Sequence, residues 1–193
     1  MRMAVFASGN GSNFQVIADA VKNQEIDGEI VLLFSDNREA KVLSRAEMLG
    51  IPSHAFSPKE FSDKGTYEGE ILHLLEEKDV DFIVLAGYMR LIGPALLEAF
   101  PKKIINIHPS LLPSFPGLHG IRDAYEAGVA ETGVTVHYID KGIDTGPIIA
   151  QEKVAIEAED TLESLEEKIH QVEHRLYPAV LKRIIKEKGQ RTQ

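Results

Sequence analysis

The chain has 193 residues, of which 44% are apolar and 26% are charged, as is typical of a globular domain. Its formal net charge of -9 argues against a nucleic acid or an anionic membrane as the main partner, because both repel an acidic surface. The absence of cysteine excludes disulfides, thiolate metal sites and cysteine nucleophiles. No apolar run approaches the roughly 20 residues of a membrane span, and Met1–Ala7 is too short for a signal peptide, so a cytoplasmic location is expected.

Strand and helix patterns alternate through residues 3–108, with no linker or internal repeat between them. The predicted strands are Met3–Ala7, Glu29–Ser35, Pro52–Phe56, Phe82–Ala86 and Ile104–His108. The predicted helices are Ser12–Lys22, Arg38–Leu49, Thr66–Lys78 and Pro94–Phe100. This alternation predicts a Rossmann-like α/β fold with a mostly parallel, doubly wound sheet and helices on both faces.

The C-terminal third follows a different pattern. Val134–Ile139 alternates polar and apolar residues and Pro147–Ile156 follows a turn, so the pair is expected to add antiparallel strands at the sheet edge. A long helix begins near Asp160–Glu163 with a sequence that resembles a capping box. Pro178 should kink or break this helix, and residues 187–193 are expected to fray. One domain, residues 1–193, is expected.

The segment Asn106–Pro113 carries the strongest chemical signal. Asn106 and His108 lie two residues apart on one strand and therefore point to the same face. Pro109 then ends the regular strand, which places the pair at a carboxyl edge, where open α/β sheets bind ligands. Asn106 could stabilise an oxyanion while His108 carries a proton. The alternative is a polar cap on the strand end. The Leu112–Pro113 bond is expected to be trans on base rates, although a cis bond would explain an abrupt loop.

A glycine-containing loop, Ser8–Asn13, joins the first predicted strand to the first helix. Its two glycines permit close approach of a ligand, and the free N–H groups at the helix start favour a phosphate. Phe14 occupies the place of the third small residue of a dinucleotide fingerprint, and the P-loop lysine is missing. We therefore predict a monophosphate site, with a simple strand-to-helix turn as the alternative.

Two other loops are candidate sites. Gly87 and the apolar residues after it could line a pocket for a flat ring, or form an ordinary connection. Asp144 lies at a turn between Gly142 and Gly146, where a carboxylate usually serves turn geometry. If Asp144 contacts His108, it would orient the imidazole and raise its pKa.

His170–His174 matches the H-x-x-E-H pattern of inverted zincins. The motif is short, and the helix that carries it is otherwise charged and amphipathic. We therefore expect no metal site, and we interpret Glu173 and His174 as substrate contacts or surface residues.

Taken together, these motifs resemble the folate-dependent formyltransferase family. The resemblance is collinear from Ser8–Asn13 through Leu85–Arg90 and Asn106–Pro113 to Asp144–Pro147 and Glu173–His174, and so covers nearly the whole chain. The early glycine loop and the short length favour the members that act on glycinamide ribonucleotide. The methionyl-tRNA enzyme and formyltetrahydrofolate hydrolase share the Asn106–Pro113 pattern.

The resemblance implies the formyltransferase fold and three sets of site residues. The catalytic set is Asn106, His108 and Asp144. The ribonucleotide set is Gly11, Ser12, Asn13, Gln171 and Glu173. The folate set is Lys64, Met89, Arg90, Leu91, Ile92, Asn106, Asp140, Lys141, Gly142, Ile143 and Asp144; arginine is common at the position of Lys64.

The resemblance also implies the reaction. The formyl group of the co-substrate 10-formyltetrahydrofolate passes to the amine of glycinamide ribonucleotide in de novo purine biosynthesis, without a metal. The expected partners are these small molecules, neither nucleic acid nor a membrane, and the expected state is a monomer or homodimer. Two rivals stay open: a formyl-folate hydrolase, and a non-catalytic nucleotide-binding module in which Asp36 holds a ribose.

Overall fold

The computed structural model describes residues 1–190, and its regular elements follow the predicted alternation. The strands are β1 Arg2–Phe6, β2 Glu29–Ser35, β3 Ser53–Ala55, β4 Phe82–Leu85, β5 Ile104–His108, β6 Glu131–Tyr138 and β7 Ile148–Ala155. The helices are α1 Ser12–Lys22, α2 Lys41–Met48, α3 Lys64–Glu77, α4 Pro94–Ala99, α5 Gly120–Glu126 and α6 Leu162–Gln190.

The seven strands form one sheet in the order β3-β2-β1-β4-β5-β6-β7. The first five strands pair in parallel, and β6 and β7 join antiparallel at the edge, as the sequence predicts. The chain passes from β1 to β2 on one side, and β4 lies on the other side of β1. The loops after β1 and β4 therefore flank a topological switch point, where sheets of this kind bind ligands.

A hydrophobic core lies on each face of the sheet, and successive residues of a central strand point alternately into one core and the other. On β1, Met3 and Val5 belong to a core with residues of α1, α2 and α6, whereas Ala4 and Phe6 belong to a second core with residues of α3 and α4. Burial on both faces explains why β1 and β4 are mainly apolar.

Of the two outcomes predicted at Pro178, a break in the last helix is wrong, while a kink stays a prediction. Helix α6 continues through Pro178 to Gln190. Proline removes one intrahelical hydrogen bond, but Tyr177, Val180 and Leu181 are buried on either side of it and hold the helix against the core. The helix also extends into the segment expected to fray, of which residues 191–193 lie outside the described part.

Further differences concern short elements and loop geometry. Helix α5 and a 3₁₀ turn at Pro58–Glu60 were not predicted, since both are too short to show a clear apolar period. The Leu112–Pro113 peptide bond is cis rather than trans. No helix within residues 1–190 is long and apolar enough to cross a membrane.

Candidate active site

Strand pairing assembles a polar surface at the end of β5. In the antiparallel register with β6, Asn106 lies opposite His137 and His108 lies opposite Thr135. Directly opposed residues lie on the same face of the sheet. The two polar residues of β5 therefore meet the polar face predicted for Val134–Ile139.

The imidazole of His108 is buried and lies between two oxygen acceptors. Its Nε2 is 2.8 Å from the carbonyl oxygen of Phe115, and its Nδ1 is 3.5 Å from Asp144 Oδ2. The contact on which the interpretation of Asp144 depends is therefore present. Gly120 packs closely, since a Cβ there would lie 3.1 Å from Nε2.

The loop that carries Asp144 aims its carboxylate into this surface. Asp144 has a φ of 53°, and its Oδ2 accepts the N–H of Gly117 at 2.8 Å. In the same loop, Asp140 accepts the hydroxyl of Thr145 at 2.7 Å and the N–H of Gly142 at 2.9 Å. These two hydrogen bonds lower the pKa of Asp140.

His137 is a site residue that the sequence analysis did not assign. It is fully buried, its Nδ1 is 2.9 Å from the carbonyl of Tyr138, and its Nε2 is 3.4 Å from Asn106 Nδ2 and 3.7 Å from Asp144 Oδ1. Burial lowers the pKa of His137 and so favours the neutral ring, with the proton on Nδ1 and Nε2 as acceptor. One amide hydrogen of Asn106 then bonds to His137 and the second is left for a ligand. The register of β5 with β6 was the signal that could have revealed this residue.

The loop after His108 is braced by a second group of unassigned residues. Ser110 Oγ donates to the carbonyl of Ser114 at 2.6 Å and lies 3.2 Å from that of Phe115, the acceptor that His108 also uses. Thr135 Oγ1 donates to the carbonyl of Ser110 at 2.7 Å. These bonds fix the carbonyl that orients His108.

The glycine loop is tightly packed against α2. Gly11 has a φ of 78°, and a Cβ there would overlap the side chain of Val42. The N–H of Val42 donates to the carbonyl of Gly9 at 3.0 Å, and Arg45 Nε donates to the carbonyl of Asn10 at 2.7 Å. The first turn of α1, which begins at Ser12, has no side-chain cap, and such N–H groups suit an anion.

The glycine loop meets α6 through a buried pair. Asn13 Nδ2 donates to Glu173 Oε2 at 3.2 Å, while Asn13 Oδ1 is buried without a partner among residues 1–190. Burial raises the pKa of Glu173, an effect that His170 and Asn13 partly offset. The structure thus joins the two ends of the ribonucleotide set. Gln171 is exposed, and its place in this set stays a prediction.

Large apolar side chains are exposed in the loops assigned to the folate. Met89 and Leu91 are each 58% exposed and Ile143 is 53% exposed. Lys64 Nζ donates to the carbonyl of Leu91 at 3.0 Å, so Lys64 contacts the same segment. Ile92 is instead buried in the core beside α3 and α4.

The H-x-x-E-H residues do not converge on one point. The rings of His170 and His174 are stacked with centroids 6.4 Å apart, and the Glu173 carboxylate turns to Asn13. Among residues 1–190, no three His, Asp or Glu side chains are grouped as a metal site would require.

Comparison with known proteins places this geometry in a family. Residues 1–181 match the family model described as formyl transferase. The chain is 52% identical over 184 residues to phosphoribosylglycinamide formyltransferase of Bacillus subtilis (strain 168), covering 95% of this chain and 94% of the relative. It is 39% identical over 181 residues to the Escherichia coli (strain K12) protein of that name, covering 94% and 85%.

Solved structures agree. Phosphoribosylglycinamide formyltransferase from Bacillus halodurans superposes with a TM-score of 0.94 at 54% identity, covering 96% of this chain and 95% of that chain. Glycinamide ribonucleotide transformylase 1 from Geobacillus kaustophilus gives a TM-score of 0.93 at 55% identity, covering 95% and 98%. The chain therefore belongs to the formyl transferase family.

Proposed function

We propose that this chain transfers the formyl group of 10-formyltetrahydrofolate to the amine of glycinamide ribonucleotide, a step of purine biosynthesis. The observation that carries the proposal is the cluster at the end of β5, where Asn106, His108, His137 and Asp144 lie within 3.7 Å of one another in successive pairs. The names of the similar proteins support the choice of substrates.

The two substrates are assigned to the loops that flank the switch point. The ribonucleotide phosphate binds at Gly11, Ser12 and Asn13, where free N–H groups at the start of α1 attract an anion. Glu173, joined to Asn13, faces the sugar and glycinamide portion. The pterin ring lies on the exposed apolar side chains of the loops that carry Met89 and Ile143.

The chemistry is direct attack. The amine nitrogen bonds to the formyl carbon, and the carbonyl oxygen gains a negative charge. The free N–H of Asn106 donates to this oxygen. His108 acts through the positive charge of its imidazolium form, because its two N–H groups face Phe115 and Asp144. The bond from that carbon to N10 then breaks. The amine loses one proton and N10 gains one, and Asp144 assists this transfer through His108 and water.

This scheme assigns no step to a metal. We also propose that the chain works in the cytoplasm, as a monomer or homodimer, on small molecules alone. The hydrolase alternative uses the same cluster but gives the formyl group to water.

The test follows the absorbance of 10-formyltetrahydrofolate with and without glycinamide ribonucleotide. Turnover that requires the ribonucleotide, and that His108→Ala abolishes, is the expected result. Turnover without the ribonucleotide would replace this proposal with the hydrolase. Ribonucleotide binding with no turnover under any condition would leave only the binding module.

A further inference from the structure

Asp36, at the end of β2, is a buried carboxylate with no role in the mechanism above. Its side chain is 6% exposed. Oδ1 accepts the hydroxyl of Ser8 at 2.5 Å, and Oδ2 accepts Arg90 Nε at 2.7 Å. One carboxylate thus joins the ends of three strands, since Ser8 follows β1 and Arg90 follows β4.

The two partners of Asp36 both lead to the folate loop. Ser8 Oγ, which donates to Asp36, accepts the backbone N–H of Met89 at 2.9 Å. Arg90 is the next residue. The backbone of Met89 and the side chain of Arg90 are therefore fixed by the same carboxylate.

Asp36 orients the guanidinium of Arg90 but occupies only one of its nitrogens. Only its Nε bonds to Asp36, and neither terminal amino group has a hydrogen-bond partner within residues 1–190. The side chain is 47% exposed and lines an open cleft of about 480 Å³ together with Ser8, Asn37, Arg38 and Lys59. Its remaining N–H groups are free for an anionic group of a ligand.

We propose that Asp36 is a positioning residue for the folate, which acts through Arg90 and through Ser8 on Met89. The inference rests on the proposed function, because it assumes that the loop of Met89 and Arg90 binds 10-formyltetrahydrofolate. The role as a ribose-binding acid in a nucleotide module is disfavoured, because the Asp36 side chain is only 6% exposed and both of its oxygens bond to protein groups.

The ribonucleotide site is held by other contacts and should be independent of Asp36. The N–H of Ser8 donates to the carbonyl of Gly87 at 3.0 Å, and Val42 and Arg45 hold Gly9 and Asn10. Loss of the Asp36 carboxylate leaves these contacts in place. The effect should therefore fall on one substrate and not on the other.

The first variant is Asp36→Ala, compared with wild type in formyl transfer and in calorimetric binding of tetrahydrofolate. We expect KM for 10-formyltetrahydrofolate and Kd for tetrahydrofolate to rise by about tenfold, as loss of a charge-assisted hydrogen bond would cause. KM for the ribonucleotide and kcat should stay within about twofold.

The matched control is Glu60→Gln, which removes another Arg–carboxylate pair in the same cleft. Glu60 bonds to Arg38 through both oxygens but is 41% exposed and touches neither loop of the site. Its folate KM should equal that of wild type. A rise as large as that of Asp36→Ala would overturn the proposal in favour of a general charge effect of the cleft.

Two further variants test the route of action. Asp36→Asn keeps the size and one acceptor, and should raise the folate KM less than Asp36→Ala. Adding Arg90→Ala to Asp36→Ala should raise it little beyond Arg90→Ala alone, because the two residues act as a unit. Additive effects, or equal losses for both substrates, would contradict the proposal. Absence of formyl transfer in wild type would instead refute the proposed function, while the tetrahydrofolate Kd would still test Asp36.

Discussion

The carboxylate of Asp144 is oriented by a backbone N–H of a different loop. Its carboxylate accepts the N–H of Gly117 and faces His108 Nδ1 at 3.5 Å and His137 Nε2 at 3.7 Å. An amide at this position can still accept from Gly117, but it carries no charge to stabilise an imidazolium. The structural and chemical roles of Asp144 can therefore be separated.

We expect Asp144→Asn to lower kcat by about 10²-fold or more, the scale of a lost proton-transfer contribution. The midpoint of thermal unfolding should change little. Steady-state kinetics and a thermal scan measure the two effects. Asp19→Asn, an exposed change on α1, is the control. Wild-type turnover in Asp144→Asn would remove Asp144 from the mechanism.

Glu173 should make stability depend on pH. Burial raises its pKa in the folded chain above the ordinary 4.5. The stabilisation from its neutral form is fully present below that value and is lost as pH rises through the raised pKa. Glu173→Gln is neutral at every pH, so its Tm should exceed that of wild type by a margin that grows as pH rises. Each kcal/mol of difference in the free energy of unfolding corresponds to about 2–4 °C in Tm.

Thermal unfolding of Glu173→Gln between acid and neutral pH measures this difference. The exposed Glu167→Gln on the same helix is the control and should show none. The KM for the ribonucleotide should also rise in Glu173→Gln, because Glu173 is proposed to contact it. Identical midpoints for wild type and Glu173→Gln at all pH values would contradict the assigned burial cost.

The placement of individual site residues could be predicted from the sequence where it depends only on their spacing along one strand. Asn106 and His108 share a face because strand residues alternate, and their position at a carboxyl edge follows from Pro109. His137 was missed because its role depends on the register between β5 and β6, which spacing along one strand does not specify. Asp144 could be given only a conditional role for the same reason.

Among the elements, α6 forms a buried hydrogen bond to the centre of the sheet through the hydroxyl of Tyr177. Tyr177 Oη donates to the carbonyl of Leu85 at 2.7 Å and lies 3.3 Å from that of Ile105. These carbonyls belong to β4, which precedes the proposed folate loop, and to β5, which carries the proposed catalytic pair. Tyr177 thus links the helix that carries Glu173 to these two strands.

We expect Tyr177→Phe to lower the free energy of unfolding by about 1–3 kcal/mol, because buried carbonyls lose their donor. Denaturant unfolding should show a lower midpoint with an unchanged slope. Tyr125→Phe is the control, since its hydroxyl donates to the carbonyl of Asp160 in a half-buried position and should matter less. Equal stability of Tyr177→Phe and wild type would mean that packing alone holds the helix.

Elements with an apolar run or a clear start signal were predictable, and elements without either signal were not. Four of the five parallel strands, β1, β2, β4 and β5, contain an apolar run bounded by turn residues. The short β3, Ser53–Ala55, has no such run. Helix α5 has seven residues and begins at a glycine, so no period marks it. The continuity of α6 at Pro178 depends on buried contacts on both sides, which a local rule for proline does not include.

At the scale of the whole molecule, an acidic chain must bind two anionic substrates. The net charge is -9, so attraction has to come from local groups at the carboxyl edge of the sheet. We propose that the uncapped start of α1 and the guanidinium of Arg90 provide this attraction. The strand order, with its reversal between β1 and β4, brings both to the same edge.

The most direct test of the central claim follows the formyl carbon itself. 10-Formyltetrahydrofolate labelled at the formyl carbon is incubated with enzyme and with glycinamide ribonucleotide labelled at its amine nitrogen, and the products are examined by NMR. The proposed mechanism requires the two labels to become directly bonded, in equal amount to the tetrahydrofolate released. Label recovered as free formate, with no bond to the amine, would contradict it.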